Sequence, residues 1–141
     1  MVSALGLDLG ARRIGVAGCD RTGLIATGIT TLQRTTFESV LEPLRELVAE
    51  REVEVLVVGL PYTLDGEIGN QAKKTQKQAR KLSRALNLPV EFVDERLTSF
   101  AAKEMMSGAE KAASKAGSKK GLVDRKAAAI ILQQWLDDRS R

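Results

Sequence analysis

The chain has no histidine, one cysteine and few aromatic residues, and each scarcity excludes a class of function. Without histidine there is no Ser-His-Asp or Cys-His catalytic machinery and no imidazole metal ligand. The single Cys19 cannot form an internal disulfide or hold zinc, and its apolar neighbours predict a small buried thiol. Aromatic residues make up 4% of the chain, so base stacking is not expected to be a main source of affinity. Acid-base or metal chemistry therefore falls to carboxylates, Lys, Tyr or Cys, with carboxylates the leading candidates.

Long apolar runs are also missing. No segment approaches the roughly 18 apolar residues of a membrane span, and Asp8 interrupts the first apolar stretch before a signal-peptide core can form. The 141 residues, 43% hydrophobic and 28% charged, predict one folded domain over residues 1–141. We expect a soluble cytoplasmic protein with no membrane partner. Its net charge of +4 fits a polyanionic partner without requiring one.

The first third of the chain predicts an antiparallel meander followed by a helix. Three short runs rich in Val, Ile, Leu and Thr are separated by turn residues, which predicts the strands Ala4–Leu9, Ile14–Cys19 and Ile25–Leu32. From Phe37 to Arg51 apolar residues recur at steps of three and four, the period of a helix with one buried face. Pro43 leaves two alternatives open: a kinked helix, or a helix that begins at Pro43.

The rest of the chain predicts parallel strands alternating with helices. Val53–Val58 is almost continuously apolar, as in a central strand covered on both faces. Asp65 and Glu67 are interpreted as turn residues in the loop that follows it. The remaining elements are a helix from Asn70 or Gln71, a strand Val90–Val93, a helix Ser99–Met106 capped by Thr98, a mobile stretch Ser107–Gly121 without large apolar residues, and a closing helix from Leu122 with Asp124 in its first turn.

This order of elements fits an α/β fold of the ribonuclease H-like type, a five-stranded mixed sheet flanked by helices. In such sheets the usual crevice lies beyond the carboxyl ends of the parallel strands. Asp8 ends the first strand, Asp94 and Glu95 end the fifth, and Asp124 begins the last helix. We therefore expect these acidic side chains to converge at one edge of the sheet.

A cluster of carboxylates predicts a divalent cation, because carboxylates packed together repel one another unless protons or metal neutralise them. Hard oxygen ligands with room for water suit Mg²⁺ or Mn²⁺. Two such ions about 3.5–4 Å apart can activate a water and stabilise the leaving oxygen in phosphodiester cleavage, which needs no histidine. The composition and this mechanism agree.

Basic residues predict how a nucleic acid would be held. Between Asn70 and Val90 there are six Lys or Arg residues and no Asp or Glu. On a helix most of them share the side opposite to the apolar residues, which predicts either a solvated face or a surface that follows a phosphate backbone without reading sequence. The predicted nucleic-acid-binding residues are Arg12, Arg13, Lys73, Lys77, Arg80, Lys81, Arg84 and Arg96.

Five short motifs in one order resemble a known family. They are Gly6-Leu7-Asp8-Leu9-Gly10 with Arg13-Ile14-Gly15-Val16-Ala17, Val57-Val58-Gly59-Leu60-Pro61, Asp65-Gly66, Val93-Asp94-Glu95-Arg96-Leu97-Thr98 and Asp124-Arg125-Lys126-Ala127-Ala128. Each motif alone is weak, but the set spans nearly the whole chain and resembles the YqgF/RuvX family. The resemblance implies a ribonuclease H-like fold and a nuclease that processes the 5′ end of pre-16S rRNA in ribosome biogenesis. It also implies similarity to Holliday-junction resolvases.

The resemblance assigns a catalytic and metal-binding site to three positions. These are Asp8, one residue of the acidic pair Asp94-Glu95, and Asp124. A strand alternates its side chains, so both members of the pair cannot point inward, and the longer reach of Glu95 favours it as the ligand. The implied cofactor is Mg²⁺ or Mn²⁺, and the implied partners are structured RNA and pre-ribosomal particles.

Three alternatives stay open. Branched DNA in recombination or repair would keep the chemistry, and a junction resolvase would need two sites and hence a symmetric homodimer. A non-catalytic RNA-binding module would keep only the basic surface. A nucleotide-phosphate binder would fit the Asp-x-Gly hairpin, although such ATPases enclose the nucleotide between two domains of this kind.

Overall fold

A computed structural model of the chain describes residues 2–60, 69–94 and 120–139, apart from the side chains of residues 120–122. The strands are β1 (Ala4–Leu9), β2 (Arg13–Cys19), β3 (Ala26–Gln33), β4 (Val55–Leu60) and β5 (Val90–Asp94), and the helices are α1 (Phe37–Arg51), α2 (Asn70–Leu86) and α3 (Lys120–Arg139). Within these ranges, no helix combines the length and the apolar character needed to span a membrane.

The strands form one mixed sheet in the order β3-β2-β1-β4-β5. The pairs β1–β2 and β2–β3 are antiparallel, whereas β4 lies between β1 and β5 and runs parallel to both. The predicted meander and the predicted central parallel strand are therefore confirmed. The carboxyl ends of β1, β4 and β5 meet at one edge, which is called the carboxyl edge below.

Each face of the sheet has its own core. One face packs large aliphatic residues of the strands against α1 and α2, with Leu5, Leu7, Val16, Leu44, Leu56 and Val58 fully buried. The other face packs small residues of the strands against the apolar side of α3, including Ala4, Ala17, Ala128, Ile131 and Leu132. Cys19 is a buried free thiol, as predicted.

The two alternatives for Pro43 are decided by a capping box upstream of it. The Thr36 side chain accepts a hydrogen bond from the Ser39 amide, and the Ser39 hydroxyl accepts one from the Thr36 amide, both at 3.0 Å. These bonds satisfy amides that a helix start leaves without partners, so α1 begins at Phe37 and contains Pro43 in its interior.

The boundaries of β2, β3 and β5 differ from the predicted ones by one residue, and larger shifts of two residues affect the fourth strand and the last helix. The fourth strand was expected at Val53–Val58, but Val53 donates its amide to Val48 O at 3.0 Å as part of the end of α1. The strand therefore starts at Val55 and extends to Leu60, which pairs with Asp94. The last helix begins at Lys120, two residues before the predicted start, so Asp124 lies beyond its first turn.

At the other end of the sheet from the carboxyl edge, Asp20 organises the turn between β2 and β3. The Thr22 hydroxyl donates to Asp20 Oδ2 at 2.6 Å, and the Leu24 amide donates to Asp20 Oδ1 at 2.9 Å. These donors favour the charged carboxylate, and the bond from Thr22 contributes most to lowering the pKa of Asp20.

Several sequence predictions lie outside the described residues. These are the metal ligand Glu95, the phosphate contact Arg96, the turn residues Asp65 and Glu67, the helix Ser99–Met106 with its cap Thr98, and nearly all of the stretch Ser107–Gly121.

Candidate active site

Asp8 lies near the end of β1 on the face of the sheet that α3 covers. Two residues before it, a Cβ atom added to Gly6 would lie 2.7 Å from Leu132 Cβ, so this position faces α3 directly. Side chains of a strand alternate between the two faces, so Asp8 shares the face of Gly6. Its side chain is half-buried at the carboxyl edge.

Gly15 brings Asp124 next to Asp8. Asp8 and Gly15 are direct partners in the antiparallel β1–β2 ladder, a relation that places Cα atoms roughly 4.5–5.5 Å apart. A Cβ atom on Gly15 would lie 2.0 Å from the main-chain oxygen of Asp124. The backbone of α3 at Asp124 thus rests on the strand position beside Asp8. The predicted approach of β1 and the last helix is present in the structure.

An arginine of the neighbouring strand holds the Asp124 carboxylate. Arg13 Nε donates to Asp124 Oδ2 at 2.6 Å, and the two side chains are 29% and 21% exposed. Arg13 starts β2 two positions before Gly15, so it projects from the same face. A charge-assisted bond of this length fixes one carboxylate oxygen, and the other oxygen remains an acceptor.

Asp94 belongs to the opposite face. In β5, Val90 and Phe92 pack with the core of α1 and α2, whereas Val93 packs with the core of α3. Alternation along β5 therefore assigns Asp94 to the face of Phe92, away from Asp8. Of the predicted acidic residues, Asp8 and Asp124 come together and Asp94 lies across the sheet from them.

The donor chemistry of Asp8 and Asp124 fits a hard divalent cation. Across residues 2–60, 69–94 and 120–139, no three His, Cys, Asp or Glu side chains gather into a metal-binding group. Mg²⁺ is nevertheless commonly bound by one or two carboxylates together with water and substrate phosphates. Asp8 and Asp124 are both half-buried and come from neighbouring backbone positions on one face of the sheet, so they could supply two such carboxylates.

The β1–β2 turn, residues 10–13, closes this edge of the sheet. The Gly10 amide donates to Arg13 O at 2.9 Å, which leaves Arg12 exposed at the tip. Arg34 follows β3 and holds the turn from the other side, since its amide donates to Arg12 O and its Nη1 to Gly10 O, both at 2.8 Å. Of the predicted phosphate contacts here, Arg12 faces solvent and Arg13 binds Asp124.

The predicted basic helix forms as expected. Its apolar side is buried through Ala72, Ala79 and Leu82, and all six of its cations are exposed: Lys73, Lys74, Lys77, Arg80, Lys81 and Arg84.

Sequence reasoning missed the role of Arg34 in holding the β1–β2 turn. Arg34 stands outside every quoted motif, and it could be found only by noting that a meander brings the end of its third strand back to the first turn.

The chain is similar to known proteins along almost its whole length. The family model described as RuvX, Holliday junction resolvase, matches residues 2–138. A protein of Acaryochloris marina named "Putative pre-16S rRNA nuclease" is 60% identical over 138 residues, covering 98% of this chain and 94% of that protein. A protein of the same name from Trichormus variabilis is 59% identical over 138 residues, covering 98% and 89%.

Among solved structures, RuvC of T. thermophilus in complex with a Holliday junction substrate superposes with a TM-score of 0.58 at 16% identity, covering 99% of this chain and 96% of that one. A second structure of Thermus thermophilus RuvC gives a TM-score of 0.55 at 13% identity. At such low identity the likeness concerns the fold, and it confirms the predicted ribonuclease H-like architecture.

Proposed function

The chain belongs to the RuvX family, and we propose that it is a nuclease that uses divalent cations to hydrolyse phosphodiester bonds of precursor 16S rRNA. The observation that supports this most directly is the pair Asp8 and Asp124. The two residues come from opposite ends of the chain and lie beside each other at the carboxyl edge, where Gly15 admits the backbone of α3.

In this proposal Asp8, Glu95 and Asp124 would hold Mg²⁺ or Mn²⁺. When bound, such ions supply an activated water and stabilise the leaving oxygen of a phosphodiester. Asp8 and Asp124 support the proposal by sharing one face of the sheet. The preference for Glu95 over its neighbour is supported by the strand pattern, which assigns Asp94 to the other face.

The arginines of this edge would orient ligand and substrate. Arg13 fixes Oδ2 of Asp124 at 2.6 Å, so the carboxylate has one preferred orientation before any ligand arrives. Arg12 is exposed in the turn that follows Asp8 by a few residues, where its guanidinium can form paired hydrogen bonds with a phosphate. Together they would place a substrate phosphate beside the carboxylates, because Arg13 holds Asp124 and Arg12 would bind the phosphate.

Precursor rRNA is the substrate that the named relatives favour, since proteins 60% and 59% identical to this chain carry the name of a pre-16S rRNA nuclease. Such a substrate would place the protein's work on pre-ribosomal particles in the cytoplasm. Branched DNA is the second candidate, because the matching family is described as a Holliday junction resolvase. It would also require a homodimer with two sites.

The test is cleavage by the full chain with Mg²⁺ or Mn²⁺, on a precursor 16S rRNA transcript and on a synthetic four-way junction. Asp8→Asn should lower the cleavage rate by about 10³-fold, because charge stabilisation by bound metal is worth several kcal/mol. Asp138→Asn, the same chemical change at an exposed position near the end of α3, is the matched control and should cleave like the parent protein.

The remaining outcomes separate the alternatives. Cleavage of the junction alone by a dimer would replace the RNA proposal with the DNA one. RNA binding that survives in both variants, without cleavage by the parent chain, would indicate a non-catalytic binding module. Stabilisation by ATP and magnesium, with none by nucleic acid, would favour a nucleotide binder instead.

A further inference from the structure

A groove of about 320 Å³ lies on the face of the sheet opposite to the candidate active site, between the start of α1 and the exposed side of α2. Its apolar lining comes from the ends of β1 and β2 and from both helices. Its charged lining consists of cations only: Arg34, Lys74, Lys77 and Lys81.

The period of α2 divides its cations into two rows. Lys74, Lys77 and Lys81 are spaced three and four residues apart and line the groove. A second row, outside the groove, consists of Lys73, Arg80 and Arg84. The six basic residues of α2 therefore differ in position, although the sequence pattern alone predicts a single basic surface.

Within the part of the chain that the structure describes, the three lysines of the groove row have no acidic partner. Between Asn70 and Val90 the chain contains no Asp or Glu. Among the described residues, none of the three forms a salt bridge. Like charges at helical spacing of three or four repel one another, so their convergence favours a bound anion.

The groove starts at the same edge of the sheet as Asp8. It is lined by Leu9 and Ile14, the pair that closes the β1–β2 ladder, and Asp8 directly precedes Leu9. Arg34 joins the two regions, because it lines the groove and donates to Gly10 O in the turn between them. A nucleic-acid strand that passes Asp8 and crosses this turn would therefore enter the groove.

The aromatic ring of the groove is already covered. Lys81 Nζ lies 4.2 Å from the centroid of the Phe37 ring, a cation–π arrangement. A base cannot stack on a ring face that an ammonium group occupies. The groove thus offers positive charge to a backbone without a stacking platform for a base.

We propose that this groove binds the sugar-phosphate backbone of the substrate strand on one side of the bond that is cleaved. The inference rests on the proposed function, because it takes the substrate to be a nucleic acid that also reaches Asp8. The groove row contacts phosphates, Arg34 keeps the connecting turn in place, and recognition is independent of base identity.

The test compares two double variants of the full chain with equal loss of charge. Lys74→Gln with Lys81→Gln removes groove cations, and Lys73→Gln with Arg84→Gln removes cations of the other row on the same helix. Binding is measured by fluorescence anisotropy in EDTA, with a labelled RNA hairpin that carries a single-stranded flank. Without divalent metal the RNA is not consumed, so the measurement does not depend on cleavage.

The groove variant should bind about tenfold more weakly at moderate salt. Its slope of log K against log salt should be less steep by about 1.4, since each phosphate contact on a single strand contributes about 0.7. The other double variant should lose less than threefold. Oligo-A and oligo-U flanks should bind the parent protein within about threefold of each other, because Lys81 covers the one aromatic ring that lines the groove.

Equal losses in the two variants, or no loss in either, would overturn the inference. Thermal unfolding of both proteins checks that the comparison is between folded molecules. If the parent chain cleaves RNA but the two variants bind alike, only the groove assignment is wrong. If Asp8→Asn leaves cleavage unchanged while the groove variant still loses affinity, the proposed catalytic site is wrong and the groove stands.

Discussion

On one face of the sheet α3 lies directly against strand backbone, whereas on the other face α1 and α2 rest on large aliphatic side chains. Gly6, Gly15 and Gly28 face α3, and a Cβ on any of them would come within 3.0 Å of that helix. The opposite face presents fully buried residues such as Leu7 and Val58. The same sheet therefore uses close backbone contact on one side and side-chain packing on the other.

The difference corresponds to what each face has to position. Backbone contact leaves α3 little freedom to shift, and α3 carries Asp124, whose place beside Asp8 depends on Gly15. Aliphatic side chains can change rotamer and absorb small changes, and one of the helices they support, α2, carries the exposed cations, which would need only approximate positions along a polyanion. Tight geometry lies under the carboxylates, and adaptable packing lies under the charged surface.

The largest effect is expected where one methyl group is added beneath α3. Gly15→Ala places a Cβ 2.0 Å from Asp124 O, and a main-chain atom cannot move aside alone. The free energy of unfolding should fall by about 3 kcal/mol or more. Because α3 has to be displaced, the folded fraction should also lose most of its cleavage activity. Chemical denaturation and initial rates per folded molecule measure the two effects.

Cleavage by Gly15→Ala at the parent rate per folded molecule would contradict the view that this glycine sets the distance between Asp8 and Asp124. Loss of stability without loss of activity would mean that α3 moves as a unit that keeps its carboxylate in place.

A smaller effect is expected from the ion pair on the α3 face. Arg13→Gln removes the charged donor to Asp124 and should lower the free energy of unfolding by about 1.5 kcal/mol, between the values for exposed pairs and for buried charged hydrogen bonds. Cleavage should fall about tenfold, an activation cost near 1.4 kcal/mol. Arg13→Lys should recover part of both losses, because it restores charge without the planar geometry of the guanidinium. Full activity in Arg13→Gln would exclude a positioning role.

The order of the described strands and helices, and the place of Asp8 near the end of β1, could be predicted from the sequence, because they depend on local patterns. Short runs rich in Val, Ile, Leu and Thr between turn residues identified the meander, an almost uninterrupted apolar run identified the parallel strand that contains Val57, and a carboxylate at a strand end marked Asp8. The position of Asp124 relative to Asp8 could not be predicted from local patterns alone. It depends on a ladder that pairs Asp8 with Gly15 and on a helix that contacts Gly15, and both are tertiary contacts.

The predictions that failed or stayed open have similar causes. The predicted start of β4 was wrong because an apolar residue such as Val53 suits a buried strand and also the end of a helix. Its amide donates to Val48 O, so it belongs to the end of α1. The start of α1 was undecided because Pro43 suits a first turn, while the capping box that decides the matter lies at Thr36 and Ser39. Hydrogen bonds to neighbouring backbone, which a hydrophobic pattern does not encode, fixed both boundaries.

The smallest effect is expected from the residue after Gly15, whose side chain points to the opposite face. Val16→Ile also adds one methyl group, at a fully buried position in the aliphatic core. The added atom is at the end of a side chain among other side chains, so neighbouring rotamers can adjust, and the loss should be about 1 kcal/mol. Cleavage per folded molecule should match the parent protein, because α3 is not displaced. Losses in Val16→Ile as large as those in Gly15→Ala, in both the free energy of unfolding and the cleavage rate, would show that the two faces tolerate an added methyl group equally poorly. The contrast between positioning of the carboxylates at Gly15 and packing of the core at Val16 would then be wrong.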